Sequence, residues 1–154
     1  MLRRNRLAAV TFALLVSTAA LGAEHAKPEF MPSDDPARRD LPFSDAVRVG
    51  DLMFLSGQIG MDSATGKPVA GGIKAEARQA LTQIKEILTR HGASMSDVVK
   101  CTAFLADIAE WQTFNEVYGE FFKKPFPARS ALATNGLARN ARVEVECIAY
   151  APKK

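Results

Sequence analysis

The chain has 154 residues, 47% of them hydrophobic and 24% charged, the size and balance of one soluble globular domain with its own core. That composition excludes a fibrous repeat and a polar, disordered chain. The formal net charge is +3, but three of the 20 basic residues are Arg3, Arg4 and Arg6, so from Glu24 onward the balance is 17 − 17 = 0. No basic stripe remains there, which argues against nucleic acid as a partner.

Met1 to Arg6 carries those three arginines and no acid, and Leu7 to Leu21 is apolar or small throughout. Small residues follow at Gly22 and Ala23, and the first acid of the chain is Glu24. A basic start, a short apolar run and a small-residue exit make residues 1–23 a signal peptide, cut after Gly22 or Ala23. The run is short for a bilayer span, which needs about 20 residues. An uncleaved N-terminal anchor is the competing reading. A cleaved signal implies a periplasmic or secreted protein with no stable membrane association.

Residues 24–40 are polar and Pro-rich and read as a flexible lead-in to a domain over 41–152. Phe43 to Val49 and Leu52 to Ser56 flank the turn Gly50-Asp51 and make a hairpin. Glycines 57, 60, 66, 71 and 72 mark the next segment as loop, with a short strand near Val69. From Ile73 to His91, Ala77, Ala80, Leu81, Ile84, Ile87 and Leu88 recur at three- and four-residue spacings, the stripe of an amphipathic helix. Gly92 follows where a C′ glycine belongs. Val98 to Leu105 is a strand. Asp107 to Phe122 is a second helix, with Trp111, Phe114, Val117, Tyr118, Phe121 and Phe122 on its apolar face, and Pro125 and Pro127 prevent its continuation. Ala128 to Ala133 and Ala141 to Ala149 are strands. In the second, Glu144 and Glu146 face one side and Val143, Val145 and Cys147 the other.

That order predicts an α+β fold, with two helices packed on one face of a mixed or antiparallel sheet. The other sheet face must then be buried in an oligomer or tolerate water. Cys101 and Cys147 both fall in apolar strand surroundings and read as two buried free thiols, although an oxidising compartment would allow them to pair. There is no CxxC, and His25 and His91 are the only histidines, too few ligands for a zinc site. No metal and no cofactor are expected.

Three features carry potential chemistry. Phe126-Pro127-Ala128-Arg129-Ser130 puts an arginine at a strand start behind a proline turn. Glu144-Val145-Glu146 puts two carboxylates on one strand face. Ser56-Gly57 ends a strand where backbone amides can meet a ligand. Each also has an ordinary reading: a surface arginine, a solvated strand face, turn chemistry. Asn115, in the middle of the second helix, would by itself be exposed or hydrogen-bonded to its own helix.

Taken together, the runs PFSDAVRVGDLMFLSGQIG, ARQALTQIKEILTRHGASMSDVVKCTAFLADIAEWQTFNEVYGEFFKKPFPARSALA and VEVECIA resemble the RidA family, also called YjgF or the reactive-intermediate deaminases. The resemblance covers about residues 41–152. It implies a chorismate-mutase-like fold and a homotrimer whose open sheet faces pack into a central barrel, with sites in the clefts between subunits. It also implies a hydrolase acting on C–N bonds, a deaminase of the 2-iminobutanoate/2-iminopropanoate type that needs no cofactor. Such an enzyme takes small 2-imino acids, tautomers of enamines such as 2-aminoacrylate, to 2-keto acids and ammonia.

By the same resemblance, Arg129 binds the substrate carboxylate and Glu144 positions the attacking water. Asn115, Ser56, Gly57 and Phe43 complete the substrate site. Two positions depart from the family pattern: Phe43 stands where Tyr is common, and Ala131 where Cys is common two residues after the arginine. The alternative is a non-catalytic member that binds a small carboxylate ligand in the same cleft.

Overall fold

The structure, a computed structural model, describes residues 26–36 and 38–153. The segment read as a signal peptide, 1–23, lies outside the described residues. The lead-in is not flexible throughout. It contains strand β1 (Glu29–Met31), paired antiparallel with β2 (Ala46–Val49). Its polar composition hides two anchors: Met31 is buried in the core, and Arg38 reaches the buried carboxylate of Asp45 at 2.9 Å.

Strand β2 forms the expected hairpin with β3 (Leu52–Leu55). Two short strands follow, β4 (Gln58–Ile59) and β5 (Met61–Asp62), and β5 pairs with β6 (Lys67–Pro68) in a separate two-stranded ribbon. Helix α1 (Gly72–Arg90) buries Ala77, Ala80, Leu81, Ile84, Ile87 and Leu88, the stripe that the sequence periodicity marks. Beyond it Gly92 has φ +77°, the left-handed conformation that a glycine adopts without steric cost. A single 3₁₀ turn, Met95–Asp97, leads into β7 (Val98–Leu105). The second helix begins as a 3₁₀ turn at Ile108–Glu110 before α2 proper (Trp111–Phe121), and β8 (Ala128–Ala133) and β9 (Val143–Tyr150) close the chain.

The main sheet runs β1-β2-β3-β9-β7-β8, with β4 also paired to β9. β7 and β8 are parallel and the other pairs antiparallel, so the sheet is mixed. Helix α2 is the crossover that a parallel pair requires. Both helices join one core with the inward side chains of β9, namely Val143, Val145, Cys147 and Ala149.

Among the described residues, no helix covers the opposite face. Cross-strand register places Leu52 beside Tyr150, Phe54 beside Ile148, and Leu132 beside Phe104 on that face. Leu52, Phe54, Leu132 and Tyr150 are 39% to 52% exposed there. A run of large apolar side chains on one open surface is the mark of a surface that meets another body.

One expectation about the core is corrected. Cys101 and Cys147, read as free thiols, form a disulfide. They are direct partners across the antiparallel β7–β9 pair, both pointing into the helix-covered core. Only the strand register brings them opposite each other, and register is not visible in the local pattern around either cysteine. The bridge closes a span of 46 residues, for which chain entropy predicts up to about 4 kcal/mol of stabilisation. The double variant Cys101→Ala/Cys147→Ala is therefore expected to unfold at lower denaturant concentration than the oxidised protein. Added reductant is expected to bring the wild-type midpoint toward that of the variant.

Candidate functional site

Pro127 fixes the entry of the chain into β8, and Arg129 is the second residue of that strand. In register it lies beside Cys101 of β7, whose side chain is in the core, so Arg129 also points to the face that the helices cover. There it meets α2. Its Nη2 donates to Asn115 Oδ1 at 2.6 Å, and its Cζ sits 4.5 Å from the ring centroid of Tyr118 and 5.5 Å from that of Phe114. Positions 114, 115 and 118 share one side of a helix, which is how a single turn supplies both the amide and the rings.

Four other arginines pair with acids, whereas buried Arg48, like Arg129, is held by neutral oxygens, the carbonyls of Ala151 and His91. Arg38 and Arg90 bind Asp45, Arg78 binds Glu120, and Arg142 binds Glu110. Among the described residues, no carboxylate lies within ion-pair distance of Arg129. Its hydrogen-bond partner is neutral, so its charge is uncompensated while the side chain is half-buried. A guanidinium has donors only, so the oxygen of Asn115 must face it, and the amide NH2 of Asn115 points away as a further donor. The cluster thus offers donors and positive charge, the complement of a small anion.

The second group of residues gathers around β4. Ser56 Oγ donates to the carbonyl of Ser44 at 2.6 Å, and Gln58 Nε2 donates to the carbonyl of Ser56 at 2.9 Å. The buried Gln58 in turn accepts from Arg38 Nη1 at 3.1 Å. These bonds hold the Ser56-Gly57-Gln58 corner. The hydroxyl proton of Ser56 is committed, so its oxygen is left to accept. Gly57 lies against Glu144: a Cβ at that position would come within 2.8 Å of the Glu144 carboxyl carbon. A side chain at this position would require the Glu144 carboxylate to move. Phe43, next to Ser44, is half exposed and brings no polar atom. Burial raises the pKa of Glu144 above the ordinary carboxylate value, and the like charge of Glu146 raises it further.

The fold brings together Arg129 with Asn115, and Glu144 with Gly57. It does not bring the two groups together within one chain. Val143 and Val145 point into the core, so Glu144 between them points to the open face, whereas Arg129 points to the helix face. In register they are two strands and three residues apart, about 14 Å by strand spacing and rise. A hollow of about 120 Å³ on the open face is lined by Phe54, Lys100, Thr102, Glu146 and Ile148 and includes neither Arg129 nor Glu144.

The family model described as Endoribonuclease L-PSP matches residues 36–151. A protein of Bos taurus named 2-iminobutanoate/2-iminopropanoate deaminase is 48% identical over 108 residues, covering 70% of this chain and 79% of that one. The protein of the same name from Homo sapiens is 45% identical over 108 residues, with the same coverage. The crystal structure of RidA from the Antarctic bacterium Psychrobacter superposes with a TM-score of 0.69 at 33% identity, over 82% of this chain and 98% of that one. The chain belongs to the RidA/YjgF family.

Within this RidA-type fold, several residues around the site escape sequence reasoning. Phe114 and Tyr118 read simply as the apolar face of a helix, because a stripe that packs a core and one that packs an arginine have the same period. Glu76 sits in the α1 stripe, is buried, and accepts the backbone N–H of Arg142 at 2.7 Å, anchoring the chain two residues before Glu144. An acid inside an apolar stripe is the signal that could have found it.

The raised pKa of Glu144 gives a test by linkage. A carboxyl whose folded pKa is raised contributes its full stability below the unfolded value, and that contribution is lost as pH rises through the folded value. Glu144→Gln is therefore expected to be at least as stable as the parent at pH 7, with the advantage vanishing below about pH 4. Thermal unfolding across that range checks it. A Gln variant less stable than the parent at neutral pH would contradict the burial of this carboxyl.

Proposed function

We propose that the protein hydrolyses small 2-imino acids, and the enamines that tautomerise to them, to 2-keto acids and ammonia. The observation that carries this reading is Arg129: a half-buried guanidinium with a neutral partner, aromatic support and no acid among the described residues. A carboxylate bound to its fork would fix the adjacent C2 at one place. Water attacks C2, the new C–O bond forms, and the C=N π electrons move to nitrogen. Glu144 accepts the proton that water loses. In the resulting carbinolamine, proton transfer to nitrogen lets the C–N bond break, the hydroxyl proton leaves, and the products are the 2-keto acid and ammonia. The protonated imine is already electrophilic, so holding the reactants in place can supply most of the acceleration.

The reading requires Glu144 from a second copy, because the two groups lie on opposite faces of one sheet. The uncovered apolar face carrying Glu144 supports a closed assembly, for which we propose a homotrimer with its sites between subunits. The relatives named 2-iminobutanoate/2-iminopropanoate deaminase support the substrate class. We also propose that the reaction takes place outside the cytoplasm. The N-terminal pattern over 1–23 and the disulfide both favour an oxidising compartment.

The test is hydrolysis of an imine generated in situ from 2-aminobutanoate by an amino-acid oxidase. Arg129→Ala is expected to lower kcat/KM at least about 100-fold, mostly through KM, and Glu144→Gln to lower kcat by about 100-fold. If wild type and both variants match the uncatalysed rate, the protein is not a deaminase. Saturable binding of 2-oxobutanoate, lost in Arg129→Ala but without turnover, would support the alternative of a non-catalytic carboxylate binder.

A further inference from the structure

The side chains around Arg129 pose a question that its hydrogen bond to Asn115 does not answer. One neutral acceptor cannot offset a positive charge taken partly out of water, and no described carboxylate does so. What lies against the guanidinium is aromatic. The Tyr118 ring is 4.5 Å from Cζ, closer than Phe114 at 5.5 Å. Tyr118 is itself held between two rings, 5.7 Å from Phe114 and 4.4 Å from Phe122, and is almost wholly buried.

We infer that the Tyr118 ring, backed by Phe114 and Phe122, is a positioning element for Arg129, holding the guanidinium by its aromatic face so that the fork stays free for an anionic ligand. The inference rests on the reading of Arg129 as the carboxylate-binding residue. A ring face attracts a cation without accepting its N–H hydrogen bonds, which lie in the guanidinium plane. An acid in that place would occupy the fork and cancel the charge. Tyr118 therefore stabilises the cation while leaving its hydrogen-bonding capacity intact, which neither an acid nor an aliphatic side chain can do.

The phenol oxygen sharpens the inference. It is buried and has no hydrogen-bond partner among the described residues. Burial pushes the Tyr118 pKa up to about 12, so the phenol remains neutral and neither gives nor takes a proton in the physiological range. An unpaired buried hydroxyl contributes nothing to packing that phenylalanine would not. The ring is the working part, so phenylalanine should replace tyrosine at this position and leucine should not.

Two readouts on the assembled protein test this. In NMR spectra, the Arg129 Nε–H resonance, identified by its loss in Arg129→Lys, is expected upfield from the effect of the ring. It should stay there in Tyr118→Phe and return to the ordinary arginine position in Tyr118→Leu. In calorimetry, Tyr118→Leu is expected to weaken 2-oxobutanoate binding about fivefold to tenfold, with KM for imine rising in parallel and kcat little changed. Tyr118→Phe should restore wild-type values. Phe114→Leu, removing the more distant ring, should show the same effects to a smaller degree, which keeps the test available if Tyr118→Leu fails to fold. An unshifted Arg129 resonance in the wild type overturns the inference, as does equal loss of binding in the Phe and Leu variants. If the resonance behaves as expected but the wild type neither binds 2-oxobutanoate nor hydrolyses imine, the aromatic positioning stands and the deaminase reading falls.

Discussion

The proposed site depends on one charge being held without being neutralised. Four other arginines of this chain pair with an acid, and buried Arg48 is held by two backbone carbonyls. Arg129 instead rests against two rings and gives one hydrogen bond to an amide oxygen. Its local field is therefore incomplete until an anion arrives, and an arriving carboxylate does not have to displace a resident one. The rest of the fold places this group. Pro127 sets the start of β8, pairing with β7 sets which way the arginine points, and the turn of α2 from 114 to 118 brings the partners to it.

Alternation along β9 then decides the architecture of any reaction. Because Val143, Val145 and Cys147 fill the core, Glu144 and Glu146 must stand on the uncovered face. The same period that builds the core thus separates the acid from the arginine by a full sheet. The apolar side chains exposed on that face, among them Phe54 and Leu132, make it one that a second copy can cover. An assembly and an active site would then be one requirement, since covering the face is also what would bring a second copy's arginine to the acid. The burial that raises the Glu144 pKa already begins within one chain, where the carboxyl is packed against Gly57.

Much of this was legible in the sequence, and the exceptions have a common cause. The two helices follow from period, with glycine or proline past their ends, and β7 from its β-branched and apolar residues, while β8 spans Ala128–Ala133 as read. Arg129, Asn115, Glu144, Ser56 and Gly57 were proposed through the family resemblance, and the structure sets Arg129 beside Asn115 and Glu144 beside Gly57. Hidden from sequence were features set by what lies across space. The Cys101–Cys147 bridge depends on β7–β9 register, strand β1 on an anchor at Met31 within a polar stretch, and the aromatic support of Arg129 on a helix face whose pattern reads equally as core. The opposition of Arg129 and Glu144 was half visible: Glu-Val-Glu showed where the acids point, but the direction of Arg129 needs the partner strand.

The central claim is that Arg129 of one copy works with Glu144 of another. Its most direct test is complementation between two inactive variants, Arg129→Ala and Glu144→Gln, unfolded together and refolded as a mixture. If each site draws one group from each of two subunits, random mixing in equal amounts restores both groups in about a quarter of the sites, with imine hydrolysis recovering to about that share of the wild-type rate. If mixed assemblies form and no activity returns, the two residues do not meet across a subunit boundary, and a site shared between copies is ruled out.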